Sequence, residues 1–375
     1  MVIMIIFNRS IEPKIKELLF KGRAILIFGP RQAGKTTLAK KLLAEFGKEG
    51  EYFNCDTLTV RNYFALGEPE KLKALIGNRK IVVFDEAQTI QNIGSILKVF
   101  IDTYPKVQII TTGSSSFDLA NKINEPLTGR SFEFVLYPLS LAEIKTSKKI
   151  DEKEIYELMR LGSYPAVVGD DTPLLRENLL KNIATNYLYK DIFVFESVRN
   201  SQLFENLLKL LAYQIGFTVS VNELSRELGA SRLVIDKYIR LLEQAYIIKK
   251  VRSFSRNHRN ELKKSFKIYF VDTGIRNVVT GLLESDMNNR SDKGVLFENF
   301  FFMERLKENS LETFSPQIYF WRTTTGYEID FVESRGQSVS GYKCKWKNDV
   351  VTFDHFLKLY PEAKVKVVRP DDFLQ

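Results

Sequence analysis

The residues best equipped for chemistry lie near the start of the chain. Gly29-Pro30-Arg31-Gln32-Ala33-Gly34-Lys35-Thr36 fits GxxxxGK[ST] in full, directly after the apolar run Ala24–Phe28 and before the helical pattern Thr37–Phe46. Glycines let such a loop wrap phosphates, and successive backbone N–H groups at a helix N-terminus point at the phosphate oxygens. Residues Gly29 to Thr37 are therefore the expected nucleotide-binding set. Lys35 would neutralise the β- and γ-phosphates, and the Thr36 hydroxyl would ligate Mg²⁺.

A second element lies 50 residues beyond Lys35. Ile81-Val82-Val83-Phe84-Asp85-Glu86 is an apolar strand ending in two carboxylates. Asp85 is expected to support Mg²⁺ through water, and Glu86 to polarise the attacking water. An extra strand pattern, Glu51–Asn54, falls between the two elements. A strand inserted between the two phosphate-site strands separates AAA+-like ATPases from the kinase and GTPase group. Asp85-Glu86-Ala87-Gln88 also invites a helicase reading. It fails because no Ser-Ala-Thr-like motif and no second α/β domain with a Gln/Arg-rich motif follow residue 140.

Three further residues could complete such a site. The strand pattern Val107–Thr112 ends in Gly113-Ser114-Ser115-Ser116. Ser114 is the candidate sensor of hydrolysis, and a helix N-cap would suit the same serine equally well. Arg130 precedes the strand Phe132–Leu136 and is a candidate arginine finger, in cis or in trans; an ordinary ion pair is its other use. Arg9, ahead of the first strand, could touch nucleotide or a neighbour.

The elements that must position these residues alternate strand and helix from 24 to 136, which argues for a parallel α/β sheet. From about 140 to 215 helical periodicity takes over. Val221–Val251 then reads as helix, turn, helix, strand, with Ser231 capping the second helix and a basic stretch after the strand. This is a winged-helix pattern. Arg252, Arg256 and Arg259 of the wing are candidate DNA contacts, because phosphate contacts dominate affinity. Protein docking is the other use of such a module, and Asp236 and Glu243 mix the charge of its second helix. Leu283–Lys293 reads as a linker. The boundaries expected are 1–145 for the ATPase core, 146–282 for a helical region with the winged helix at about 218–275, and 283–375 for a last domain.

That last domain carries Glu298 on a helix pattern, Asp330 in a strand and Lys345 in the next. Glutamate, aspartate and a carboxylate–x–lysine together would make a metal-dependent nuclease site. Here the carboxylate position is Lys343. A cation in place of a metal ligand removes coordination and adds repulsion, so a disabled site is expected. Glu328 could substitute if it faced the same way as Asp330, which period-2 alternation permits.

Composition bounds these readings. The chain has 375 residues, 44% of them apolar and 12% aromatic, enough for several packed cores. Its longest apolar run, Met1 to Phe7, is far short of the ~20 residues of a spanning helix. It reads as a strand or lid, and no membrane role is expected. Two cysteines 289 positions apart and two histidines leave no disulfide framework and no thiolate or His-rich metal site, which fits a cytoplasmic protein. The net charge of +9 is clustered: Lys249 to Lys267 holds eight basic residues and one acidic.

Gly29–Thr37, Asp85-Glu86-Ala87-Gln88, Thr112-Gly113-Ser114-Ser115, Thr128-Gly129-Arg130, Tyr269-Phe270-Val271-Asp272-Thr273-Gly274 and Glu328-Ile329-Asp330-Phe331 occur in this order. Together they resemble prokaryotic, notably archaeal, AAA+-type P-loop ATPases with a C-terminal restriction-endonuclease-like domain of unassigned function. The resemblance implies an α/β fold: an AAA+-like parallel sheet, a winged helix and a nuclease-like α/β domain. It implies Walker A and Walker B elements, ATP and Mg²⁺ as ligands, and hydrolysis driving a conformational switch, on DNA or within a homo-oligomer. Members commonly keep Glu where this chain has Lys343. A nucleic-acid-binding switch with little turnover is the rival expectation, and a metal-dependent nuclease is a third.

Overall fold

The structure, a computed structural model, describes residues 5–65, 68–113, 127–185, 200–255, 266–347 and 349–374. The chain forms two compact units. One is Ile6–Leu139 with Gln244–Tyr246, and the other is built mainly from Ser140–Glu243 and Ile247–Gln375.

The first unit is a five-stranded sheet of β1 (Ala24–Phe28), β2 (Gly50–Asn54), β3 (Ile81–Asp85), β4 (Gln108–Gly113) and β5 (Ser131–Val135). All neighbours are parallel and the order is β2-β3-β4-β1-β5. β1, β3 and β4 are buried along their whole length. A strand covered on both faces has no solvent side to place polar residues, hence the unbroken runs Ala-Ile-Leu-Ile-Phe and Ile-Val-Val-Phe. Helix Ile93–Thr103 buries Leu97 and Phe100, while Phe64 meets Phe84 edge-on at 4.9 Å. The strand that lies between β1 and β3 is β4 and not, as expected, the Glu51–Asn54 run, which as β2 lies at the sheet's edge beyond β3. Met1–Met4 of the opening run lie outside the described residues, and Ile5–Arg9 form no strand. The chain there is irregular, with Phe7 buried, and leads into helix Glu12–Glu17.

The second unit opens with helices Leu141–Lys145, Glu152–Leu161, Pro165–Val168 and Pro173–Thr185. Helix Ser201–Tyr213, β6 (Thr218–Val219), helices Val221–Glu227 and Arg232–Gln244, β7 (Ile248–Ser253) and β8 (Phe266–Phe270) follow. β8 pairs antiparallel with both β6 and β7. Ser231 Oγ accepts the Val234 N–H and so starts the second helix where the turn at Gly229 ends. After helices Thr273–Thr280 and Lys293–Ser310 come β9 (Gln317–Arg322), β10 (Glu328–Arg335), β11 (Ser338–Cys344), helix Asp354–Leu359 and β12 (Lys364–Val368).

β7 pairs in parallel with β9, so one seven-stranded sheet of order β12-β11-β10-β9-β7-β8-β6 runs through the unit. The division expected at 282/283 is therefore not a break in the sheet. Nor is Leu283–Lys293 a loose tether. Leu283, Met287 and Arg290 are buried, and Arg290 donates to Asp292, Asn277 and the Leu282 carbonyl. Arg276 donates to Asp292 as well. Burial alone would raise the Asp292 carboxyl, but the two guanidiniums outweigh it and hold it at about 2. Within the segment Arg290 and Asp292 are thus internal ion-pair partners, while Glu284 and Asp286 stay exposed.

Among the described residues no helix is long and apolar enough to cross a membrane.

Candidate functional site

The loop between β1 and helix Lys35–Ala44 opens at the C-terminal edge of the parallel sheet, where β3 and β4 also end. Gly29 must be glycine: its φ is +141°, and a Cβ would sit 2.2 Å from the Leu136 carbonyl oxygen. Arg9 braces the loop from behind, donating to the Ala33 carbonyl and to the Tyr137 carbonyl at 2.6 Å each. Arg9 therefore serves the loop's backbone. Lys35 is buried, and its Nζ donates to the carbonyls of Gly29 at 2.9 Å and Pro30 at 2.8 Å. The ammonium thus lies folded into the hollow of the loop. Arg31, Gln32 and Thr37 are exposed, while Pro30 and Ala33 are buried.

Asp85 ends β3 and is 4% exposed. Thr36 Oγ1 donates to its two oxygens at 3.0 and 2.9 Å, which brings the loop and the carboxylate strand into one site across 49 residues of sequence. Two residues that sequence reasoning missed complete the shell. Tyr52 of β2 donates its phenol proton to Asp85 Oδ2 at 2.5 Å. Thr112 of β4 donates to Asp85 Oδ1 and accepts the Glu86 N–H at 3.2 Å. The signal for Thr112 was its place at the end of a strand pattern; Tyr52 gave none beyond being an aromatic in a strand. Burial, reinforced by Asp85, raises the Tyr52 phenol above its ordinary range and pushes the Cys55 thiol up to about 12. Both stay protonated at neutral pH.

Glu86 holds a left-handed backbone at φ 54°, and Gln32 in the loop does the same at 62°. Such conformations in residues with a Cβ are costly and collect at functional sites. The turn lifts the Glu86 carboxylate out of the strand line, where Gln88 Nε2 donates to it.

Ser114 lies outside the described residues, as do Arg256 and Arg259. Arg130 is described and is far from the loop of its own chain. Its carbonyl accepts the N–H of Ala24, at the opposite end of β1 from Gly29. Five residues of strand separate the two, about 16 Å, more than one arginine side chain spans. The half-buried Arg130 side chain pairs instead with Asp102 at 2.7 Å.

The C-terminal residues form a second buried cluster. Lys267, the last residue of the basic stretch, is fully buried and bonds Glu298 at 3.0 Å and Glu328. Tyr269 donates to Glu298. Lys343 bonds Asp330, which also accepts the Cys344 N–H at 2.8 Å. Burial raises the Glu298 carboxyl above its usual range, and Asp330 adds to this. Burial opposes the charge on Lys267, yet Glu298 and Glu328 hold its pKa above the ordinary value. Glu328 does face the cluster. Lys345 does not: β11 ends at Cys344, and the Lys345 side chain turns toward Asp349 at 3.6 Å. Two ammonium groups thus neutralise these carboxylates. Among the described residues no group of three or more His, Cys, Asp or Glu side chains is placed to hold a metal ion.

Loop, carboxylate strand and sheet order define the first unit as a P-loop nucleotide-binding fold. Residues 21–145 match a family model described as AAA domain. Residues 152–286 and 293–373 match models described as domains of unknown function, DUF8612 and DUF4143. An uncharacterized protein of Methanocaldococcus jannaschii is 24% identical over 348 residues, covering 87% of this chain and 75% of its own length. One from Haemophilus influenzae is 29% identical over 271 residues, 68% of this chain and 63% of its own. The Walker-type ATPase paby2304 of Pyrococcus abyssi shares the fold at a TM-score of 0.52 and 17% identity, over 73% of this chain and 96% of its own.

Proposed function

We propose that this chain binds ATP with Mg²⁺, hydrolyses it, and uses the cycle as a conformational switch that acts on DNA. The observation that carries the reading is the bonding of Thr36 to Asp85 directly beside the folded-in Lys35. Thr36 and Asp85 would hold the metal, since hydroxyl and carboxylate oxygens at a phosphate loop suit Mg²⁺. When bound, Mg²⁺ spreads the charge of the β- and γ-phosphates. The loop N–H groups and Lys35 orient the phosphates, and Glu86 accepts the proton of the attacking water. Thr112, tied to Asp85 and to the Glu86 N–H, transmits the change of charge when the γ-phosphate leaves. In a purified preparation, phosphate release from ATP should require Mg²⁺ and stop in EDTA. Release that is absent, or indifferent to EDTA, would sink the reading.

Arg130 is proposed to serve a neighbouring copy, because its own loop lies beyond reach. Arg130→Ala should keep ATP binding and lose at least 10-fold in turnover, and wild-type specific activity should rise with protein concentration. Concentration-independent activity would count against it.

The helix–strand–helix–helix–strand–strand order from Ser201 to Phe270 supports a winged-helix reading. Arg232, Lys237, Arg240 and Arg252 are exposed there, while Glu243 is engaged by the Lys250 N–H at 3.2 Å. Duplex DNA binding should weaken about 10-fold in an Arg252→Ala Arg240→Ala double variant, with a shallower salt dependence. Equal binding at every salt concentration would remove DNA from the proposal.

A further inference from the structure

Asp85 is held by hydroxyls from three separate elements, and two of them belong to the machinery already described. The third is Tyr52, from a strand at the sheet's edge. In the β2–β3 register Tyr52 stands opposite Val83 and Asn54 opposite Asp85. Side chains two residues apart share a face, so Tyr52 and Asp85 project to the same side. The two-residue offset, about 7 Å along the strand, is close to the length of a tyrosine side chain. A phenylalanine would fill the same space and stop short of the carboxylate. The ring is also fixed from the helix side, where Lys40 Nζ lies 4.3 Å from its centroid. Backbone contact secures the same strand end, since Cys55 N–H donates to the Asp85 carbonyl at 2.9 Å.

We infer that Tyr52 is a positioning residue for the metal: its phenol holds Asp85 Oδ2 in place and so sets how strongly the site binds Mg²⁺ beside nucleotide. This deepens the proposed function and rests on Asp85 being the metal-site carboxylate. Partners that orient a metal-site carboxylate commonly change metal affinity by about 10–100-fold when removed. Phosphate binding to the loop amides and Lys35 does not involve the phenol and is independent of it.

The test is a linkage measurement on the full chain with a fluorescent, non-hydrolysable ATP analogue, titrated once in EDTA and once across a range of Mg²⁺ concentrations. Tyr52→Phe should bind the analogue in EDTA as wild type does, and should need about 10-fold more Mg²⁺ to reach the metal-dependent tightening. An unchanged Mg²⁺ requirement would overturn the inference, because a mere packing role predicts that. Equal weakening in EDTA and in Mg²⁺ would overturn it too, by showing a damaged loop. Wild-type protein that binds no analogue in either condition would bring down the proposed function together with this inference, and is thereby distinguishable from failure of the inference alone.

Discussion

Replacing Lys35 by alanine is expected to lower ATP turnover by at least about 100-fold and to weaken ATP binding, with little loss of fold stability. The group is buried in the hollow of the loop and already committed to two backbone carbonyls, those of Gly29 and Pro30. When phosphates enter, the ammonium exchanges those neutral acceptors for anionic oxygens, a stronger, charge-assisted bond. Its worth grows as charge shifts toward the leaving oxygen. Removing a single preorganised donor from a developing anion costs about 100–1,000-fold, or about 2.7–4 kcal/mol. The loop itself should persist, because Arg9 still holds the Ala33 carbonyl. Phosphate release, nucleotide binding and thermal unfolding measured side by side check each part. Wild-type turnover in the variant would remove Lys35 from the chemistry and the phosphate loop from the reading.

The second large effect concerns the other unit. Gly274→Ala is expected to lower the thermal midpoint by about 5 °C or more. A Cβ on Gly274 would lie 2.2 Å from the Leu161 carbonyl oxygen and 2.8 Å from the Gly162 nitrogen. Both are backbone atoms, and they have nowhere to go. The flanking residues are tied down: Asp272, buried and with its carboxyl raised by that burial, accepts the N–H groups of Ser163 at 2.8 Å and Ile275 at 3.1 Å. Thr273 donates to the Leu158 carbonyl, and Asn277 to those of Met159 and Arg160. Overpacking a rigid junction costs about 1–3 kcal/mol, and each hydrogen bond displaced adds about 1. At about 2–4 °C per kcal/mol for a unit of this size, the shift is easily read by calorimetry. A variant that melts within 1 °C or so of wild type would show that the junction yields. Such a tie accounts for the Asp272-Thr273-Gly274 motif without any ligand: its side chains join the helices Glu152–Leu161 and Thr273–Thr280.

The two units differ in how much of them the linear order disclosed. In the first, all five strand patterns lie within one residue of the observed strands at both ends, although the strand inserted between β1 and β3 is β4 rather than the expected β2. The patterns of β1 and β3 were legible because these strands are covered on both faces and are apolar almost throughout. In the second, a chain of ion pairs misled. Arg290 and Asp292 looked like the charges of an exposed linker, and Lys267 looked like part of a basic stretch. A charge is legible as buried only when its partner is known, and those partners stand up to 61 positions away, as with Lys267 and Glu328. β12 was not foreseen because its exposure alternates along Lys364–Val367, so that little apolar surface marks it.

The sequence by itself determined the phosphate loop and the strand that ends in Asp85 and Glu86. Their chemistry is local: a run of backbone amides, one ammonium and one hydroxyl delivered by eight consecutive residues. Tertiary structure alone decided what surrounds Asp85, where Arg130 can act and which cations neutralise Glu298 and Asp330. Each of these depends on sheet order and register. A single parallel register carries Tyr52 to Asp85 across 33 residues, and the direction of β5 beside β1 carries Arg130 away from its own loop. Such placements are sums over many weak contacts along whole strands, and no short motif records them.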